Sequence, residues 1–376
     1  MNEKKLPIAF DVCFTSDCRY STRLAIIQTS PYAESWLATH MDVIMNEQPN
    51  VILSDGLYES QQNIFDDILI TKELDYWGTD EGDLISLIIE QIDNDKYVIV
   101  DLTRDEKGEI RPLLLYGYNK DEQYFYFAQM VKNADGGRYE EWGIEFDTVI
   151  QLFADIRNIY QNDVQAKAIH KAMYYYPIGT VKLREEYNHD NAVLQAIINK
   201  ICREYNGGTY TMTNCDMDET EISNKTWYVG ASCLLGIRDI LKEINPEDKD
   251  TIKGKLPYAG RSAFVLYEHR KRLCRNMEWI VKELKWTDEN AVKLIELYRE
   301  LSKNMEIIHN LCNKIAITYD QKALERVINM LTEQHKKEKG ILRKFMDDSM
   351  DYCVYTESYE YYMENKSLQE KEILQS

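Results

Sequence analysis

The sequence lacks most of what marks a membrane or secreted protein. No apolar run approaches the ~18 residues that a membrane span requires. The start, Met1-Asn2-Glu3-Lys4-Lys5, leads into a short apolar patch broken by Asp11, so the apolar core of a secretory signal is missing. Cysteine occurs eight times, at 13, 18, 202, 215, 233, 274, 312 and 353, but never as a CxxC pair. The six histidines, at 40, 170, 189, 269, 309 and 335, are as scattered, and no zinc-ligand spacing results. Isolated cysteines imply reduced thiols in a cytoplasmic protein, most of them serving as small buried apolar groups. No metal and no cofactor is expected. Positive charge is also scarce: 45 basic residues against 64 acidic ones give −19. Such a surface repels nucleic-acid backbones and anionic lipid, so neither is an expected partner.

What is present is an ordinary globular composition, 44% hydrophobic and 29% charged, which excludes disorder over most of the chain. At 376 residues it is long enough for two domains of ~150 residues each. Cys18 to Gln28 reads as a helix with Ser16 or Asp17 at its cap, and Ala33 to Glu47 as a second amphipathic helix. Asp80 to Asp93 is a third, with Leu84, Ile85, Leu87, Ile88, Ile89 and Ile92 on a broad apolar face. The period then changes to that of strands: 97–101, 113–118, 124–127 and 138–146, with Asn119-Lys120-Asp121-Glu122 as a turn. A helix follows over Thr148 to Tyr160. Helices first and an antiparallel sheet second predict an α+β domain.

The remainder reads as mainly helical: 191–205, 226–244, 262–284, 288–316 and 321–346, the last three long enough for an up-and-down bundle. The predicted division is 1–175, an α+β domain; 176–350, a helical bundle; and 351–376, an acidic tyrosine-rich tail. Tyr174-Tyr175-Tyr176 and Tyr359-Glu360-Tyr361-Tyr362 read as amphipathic packing. Gly136-Gly137 reads as a hairpin turn rather than a phosphate loop.

Three short motifs carry a family resemblance. Asp17-Cys18-Arg19-Tyr20 opens a helix; Leu113-Leu114-Leu115-Tyr116-Gly117-Tyr118-Asn119 runs into a turn; Tyr124-Phe125-Tyr126-Phe127-Ala128-Gln129 follows as the next strand. Together they resemble the papain-like, C39-like cysteine acyltransferases of butirosin-type and nonribosomal-peptide biosynthesis. The segments Gly260-Arg261-Ser262-Ala263-Phe264 and Tyr267-Glu268-His269-Arg270-Lys271 resemble the helical half that accompanies such domains. The resemblance implies a papain-like fold for the first domain and a role in bacterial specialised-metabolite assembly. It also implies a partner, an acyl carrier protein with its phosphopantetheine-linked thioester, or an active paralogue.

In that family a thiol at a helix N-terminus is the nucleophile, activated because the helix dipole favours the thiolate. A histidine on a neighbouring strand moves the proton, and a third residue, usually Asp, orients the imidazole. By resemblance the nucleophile position is Cys18, the histidine position is Arg111 and the third position is Gln129. Arginine stays protonated and cannot act as a general base. Cys18 is therefore either a structural relic or a thiolate supported by Arg111, with thioester exchange easier to sustain than amide formation. His40 or His170 supplying the base from elsewhere is a further alternative. Cys13 is an alternative helix-start thiol. The basic run Arg270, Lys271, Arg272, with Arg275 a turn later, reads either as a carrier-docking patch or as a solvated helix face.

Overall fold

The computed structural model describes residues 2–45, 51–54, 63–101, 111–133, 136–162, 176–187, 193–215, 222–245 and 247–349. In chain order the elements begin with β1 (Glu3–Lys5), α1 (Cys18–Ile27), α2 (Ala33–Thr39), β2 (Asp42–Met45), β3 (Val51–Ser54) and β4 (Leu69–Glu73). Then come α3 (Glu81–Asp93), β5 (Tyr97–Val100), β6 (Leu113–Asn119), β7 (Tyr124–Asn133), β8 (Gly136–Glu145), α4 (Phe146–Asn162) and β9 (Ile178–Leu183). The C-terminal half holds α5 (Val193–Asn206), β10 (Thr209–Cys215), β11 (Ile222–Val229), α6 (Cys233–Lys242), α7 (Lys249–Glu283), α8 (Glu289–Thr318) and α9 (Gln321–Ser349). The protein is thus mixed α+β, with an antiparallel sheet and a largely helical C-terminal region.

Two compact units form, residues 1–36 with 58–188, and residues 37–57 with 189–376. They are not consecutive stretches. Residues 37–57, which the sequence reading leaves inside the first domain, join the second unit. The tail 351–376 and His170 lie outside the described residues.

The first unit is built on a seven-stranded sheet in the order β4-β9-β5-β6-β7-β8, with β1 also pairing β6. Every pairing is antiparallel. Strand β5 is apolar at all four residues because it lies inside the sheet and is buried throughout. The turn predicted at 119–122 forms: the Asn119 side chain accepts from the amides of Asp121 and Glu122, both at 3.1 Å. Gln123, at φ 56°, then enters β7. Gly117 is required where β1 crosses, since a Cβ there would lie 2.5 Å from the Lys4 carbonyl oxygen. On α3 the buried stripe is Leu84, Ile88 and Ile92, narrower than the predicted face and spaced as one helical side dictates.

The second unit combines a four-stranded sheet, β10-β11-β2-β3, with helices α5 to α9. Both strand pairs correct predicted helices. The 33–47 helix stops at Thr39; Met41 takes a left-handed φ of 69°, and Val43 and Ile44 then extend as β2. The 226–244 helix begins only at Cys233, because Thr226-Trp227-Tyr228-Val229 is a β-branched and aromatic run that pairs as β11. Helix α7 starts well before the predicted Ser262. Asp248 caps it by accepting from the amides of Asp250 and Thr251, and Pro257 lies within it. On α8 the buried face runs through Leu294, Tyr298, Leu301, Met305, Ile308 and Cys312, and leaves Leu297 and Ile307 exposed. Leu273 and Met277 of α7, Ile295 of α8, Phe345 of α9 and Ile197 of α5 meet in one apolar core.

Candidate functional site around Cys18

Cys18 is the first residue of α1, as the sequence predicts, and it is partly buried. The first turn is tied by its own hydroxyls. Ser21 donates to the Asp17 carbonyl through its amide at 2.9 Å and through its Oγ at 2.5 Å, and Thr22 Oγ1 donates to the Cys18 carbonyl at 2.7 Å. Thr22 Oγ1 also meets the hydroxyl of Tyr139, on β8. Tyr139 is buried, and burial drives its phenol well above the usual range. A Cys18 thiolate is close enough to add to that rise.

One turn deeper, Arg23 points into the unit and meets Asp101, which follows β5. Nη2 lies 2.9 Å from Oδ2 and Nη1 3.4 Å from Oδ1, with both side chains buried. This pair fixes α1 to the sheet below the thiol. Asp101 is itself held by its amide, which donates to the Pro177 carbonyl at 3.0 Å.

The other two positions of the resemblance also come together. Arg111 precedes β6 and is partly buried; Gln129, on β7, donates from Nε2 to the Arg111 carbonyl oxygen at 3.0 Å. Leu113 and Gln129 are cross-strand partners, so the second position lies two residues before β6 and the third lies on its antiparallel neighbour β7. Helix α1, which starts at Cys18, packs on β7. What joins the two strand positions is an amide–carbonyl hydrogen bond, a link that holds backbone and moves no proton.

His40 belongs to the second unit, where its Nδ1 is 2.9 Å from Thr39 Oγ1. Cys13 lies in the loop before α1, its amide donating to Gln28 Oε1 at 2.9 Å. The basic run splits. Arg270 (0% exposed) and Arg272 (3%) are interior side chains, Arg272 donating from Nε to Asn276 Oδ1 at 3.2 Å. Neither offers a charge to a docking partner, which corrects the reading of the run as one patch. Lys271 and Arg275 are exposed.

Thr22, Arg23, Asp101 and Tyr139 were not among the predicted site residues. A signal for one pair existed. Arg23 shares a helical stripe with Tyr20, Leu24 and Ile27, all buried, and a charge on such a stripe needs a partner. Among the described residues no group of three or more His, Cys, Asp or Glu is placed to hold a metal ion, and no helix is long and apolar enough to cross a membrane. No protein-family model matches the sequence, and no curated protein matches it.

Proposed function

We propose that the first unit is a papain-like domain that binds an acyl or peptidyl group presented as a carrier-protein thioester, in specialised-metabolite assembly, without histidine-dependent transfer. The observation that carries this reading is the combination of Cys18 opening α1 on β7 with an Arg111–Gln129 link where a base and its orienting residue would stand. On the resemblance, the nucleophile's setting would be kept and the proton-transfer machinery replaced. A thiol at a helix start still favours the thiolate, so the site suits recognition of a thioester more than formation of an amide.

The test is incubation of the full chain with acyl-loaded carrier protein or a small thioester mimic, followed by intact-mass spectrometry and a binding titration. Saturable binding with no mass added at Cys18 is the expected result. An acyl adduct on the wild type that disappears in Cys18→Ala would replace this reading with that of a working acyltransferase. Absence of both adduct and binding would leave the first unit a structural element and sink the thioester assignment. Salt-sensitive docking is to be probed at the exposed Lys271 and Arg275, since Arg270 and Arg272 are interior.

A further inference from the structure

The second unit gathers its helices around one buried guanidinium. Arg270 of α7 is completely enclosed, as is Glu338 of α9, and Glu204 of α5 is 4% exposed. Nη2 of Arg270 donates to Oε1 of Glu204 at 3.0 Å and to Oε2 of Glu338 at 3.1 Å, and Nε lies 3.0 Å from Oε1 of Glu338. Tyr298 of α8 donates to that same Glu338 oxygen at 2.6 Å. The donors are unevenly shared. Glu338 accepts two hydrogen bonds, from Arg270 Nη2 and the Tyr298 phenol, with the positive Nε close by but not hydrogen-bonded, whereas Glu204 accepts one from the cluster.

Other cations near Glu204 are committed elsewhere. Lys200, on its own helix, donates to the His40 carbonyl and lies 3.7 Å from Asp42 of β2. Arg203 pairs with the same Asp42 at 2.8 Å. Lys339 of α9 donates to the Tyr205 carbonyl at 2.5 Å. Cys233 of α6 and Tyr298 are buried and held neutral, both raised chiefly by burial. His269 is buried beside Arg270, with Nη1 3.5 Å from its Nδ1; burial first, then Arg270, keeps it uncharged. One shared N–H is little compensation for a carboxylate charge withdrawn from water.

We propose that Glu204 is carried as the neutral carboxylic acid in the native protein, which makes the second unit a proton-binding element whose packing weakens as the medium becomes alkaline. The electrostatics agree with the geometry. Burial, opposed by Arg270 and Lys200 and reinforced by Glu338 and Asp42, pushes Glu204 from 4.5 to about 8. The sign follows. Below 4.5 folded and unfolded chains both hold the proton; between 4.5 and about 8 only the folded chain does, so stability falls as pH rises; above about 8 both have lost it and the fall ends.

The experiment is urea unfolding of the full chain from pH 5 to 9, for the wild type and Glu204→Gln. Pulse-labelling of the buried thiols of Cys274 and Cys312 reports the second unit. Glutamine mimics the protonated acid, so contributions from His269 and His335 cancel in the ratio of the two unfolding constants. That ratio, wild type over variant, is expected to climb by up to about tenfold per pH unit between pH 5 and 7.5 and to level off above pH 8. A ratio constant across the range overturns the proposal. Should the glutamine variant not fold, isotope-edited infrared spectra of the wild type with labelled glutamate decide. A protonated-carboxyl band present at pH 7 and gone by pH 9 supports a neutral Glu204; no such band at pH 7 overturns it.

Discussion

Arg23 in the first unit and Arg270 in the second are both buried helical arginines that meet carboxylates, yet they are balanced differently. Among the described residues Arg23 faces Asp101, a cation and an anion each 3–4% exposed. Arg270 faces Glu204 and Glu338 together, with Tyr298 filling in as an extra donor. The first arrangement satisfies charge with charge and anchors the helix that carries Cys18. The second leaves one carboxylate short of donors, and a proton makes up the difference. Burial alone thus does not decide whether an ionic core responds to pH; the count of donors around each carboxylate does.

The comparison is broken most severely by removing the shared cation. Arg270→Met leaves two carboxylates in the interior and is expected to cost about 4–5 kcal/mol, more at pH 8 than at pH 5, by urea denaturation of the second unit. Asp101→Asn strikes the balanced pair. It keeps an acceptor near Arg23 but removes the counter-charge, for an expected loss of about 3 kcal/mol. Because the pair fixes α1, this variant should also change the iodoacetamide alkylation rate of Cys18, which Arg270→Met should leave unaltered while the first unit stays folded. Equal effects of both variants on Cys18 would mean that the two ionic cores are not separate.

Much of the first unit was legible because its signals are local. Strand periodicity marked β5 to β8, and Asn119 with the residues after it marked the turn that sets β7 beside β6. Cys18 at a helix start and Gln129 on the strand next to Arg111 were likewise readable. The second unit hid two strand pairs. Asp42–Met45 is too short to show a period, and its partner β11 lies some 180 residues away in sequence, so nothing local announces the pairing. At 230 the decisive feature is conformational. Gly230 stands at φ 57°, where a Cβ would lie 2.8 Å from the Glu204 carbonyl oxygen, and it turns β11 toward α6. Gly230→Ala is therefore expected to cost about 1–2 kcal/mol, next in size after the ionic cores, and to be read out by thermal unfolding. A neutral result would mean that the backbone there relaxes, and the rigid seat of Glu204 would go with it.

The smallest effect is expected one residue from the largest. Arg270 and Lys271 are neighbours in a run of like charge, and composition gives no reason to treat them differently. Helix geometry does: consecutive residues point about 100° apart, so one faces the helix interface and the next faces solvent. Lys271 is exposed, its ammonium 5.1 Å from the centre of the Tyr267 ring, a contact that contributes about 0.5 kcal/mol or less at such a site. Lys271→Ala should accordingly leave the urea midpoint almost unchanged, with no dependence on pH, while Arg270→Met lowers it strongly. If Lys271→Ala also weakens carrier-protein binding and does so more at low salt, the exposed half of the run is a docking surface and the buried half a structural core. If binding is unaffected, charge on this face is merely solvated.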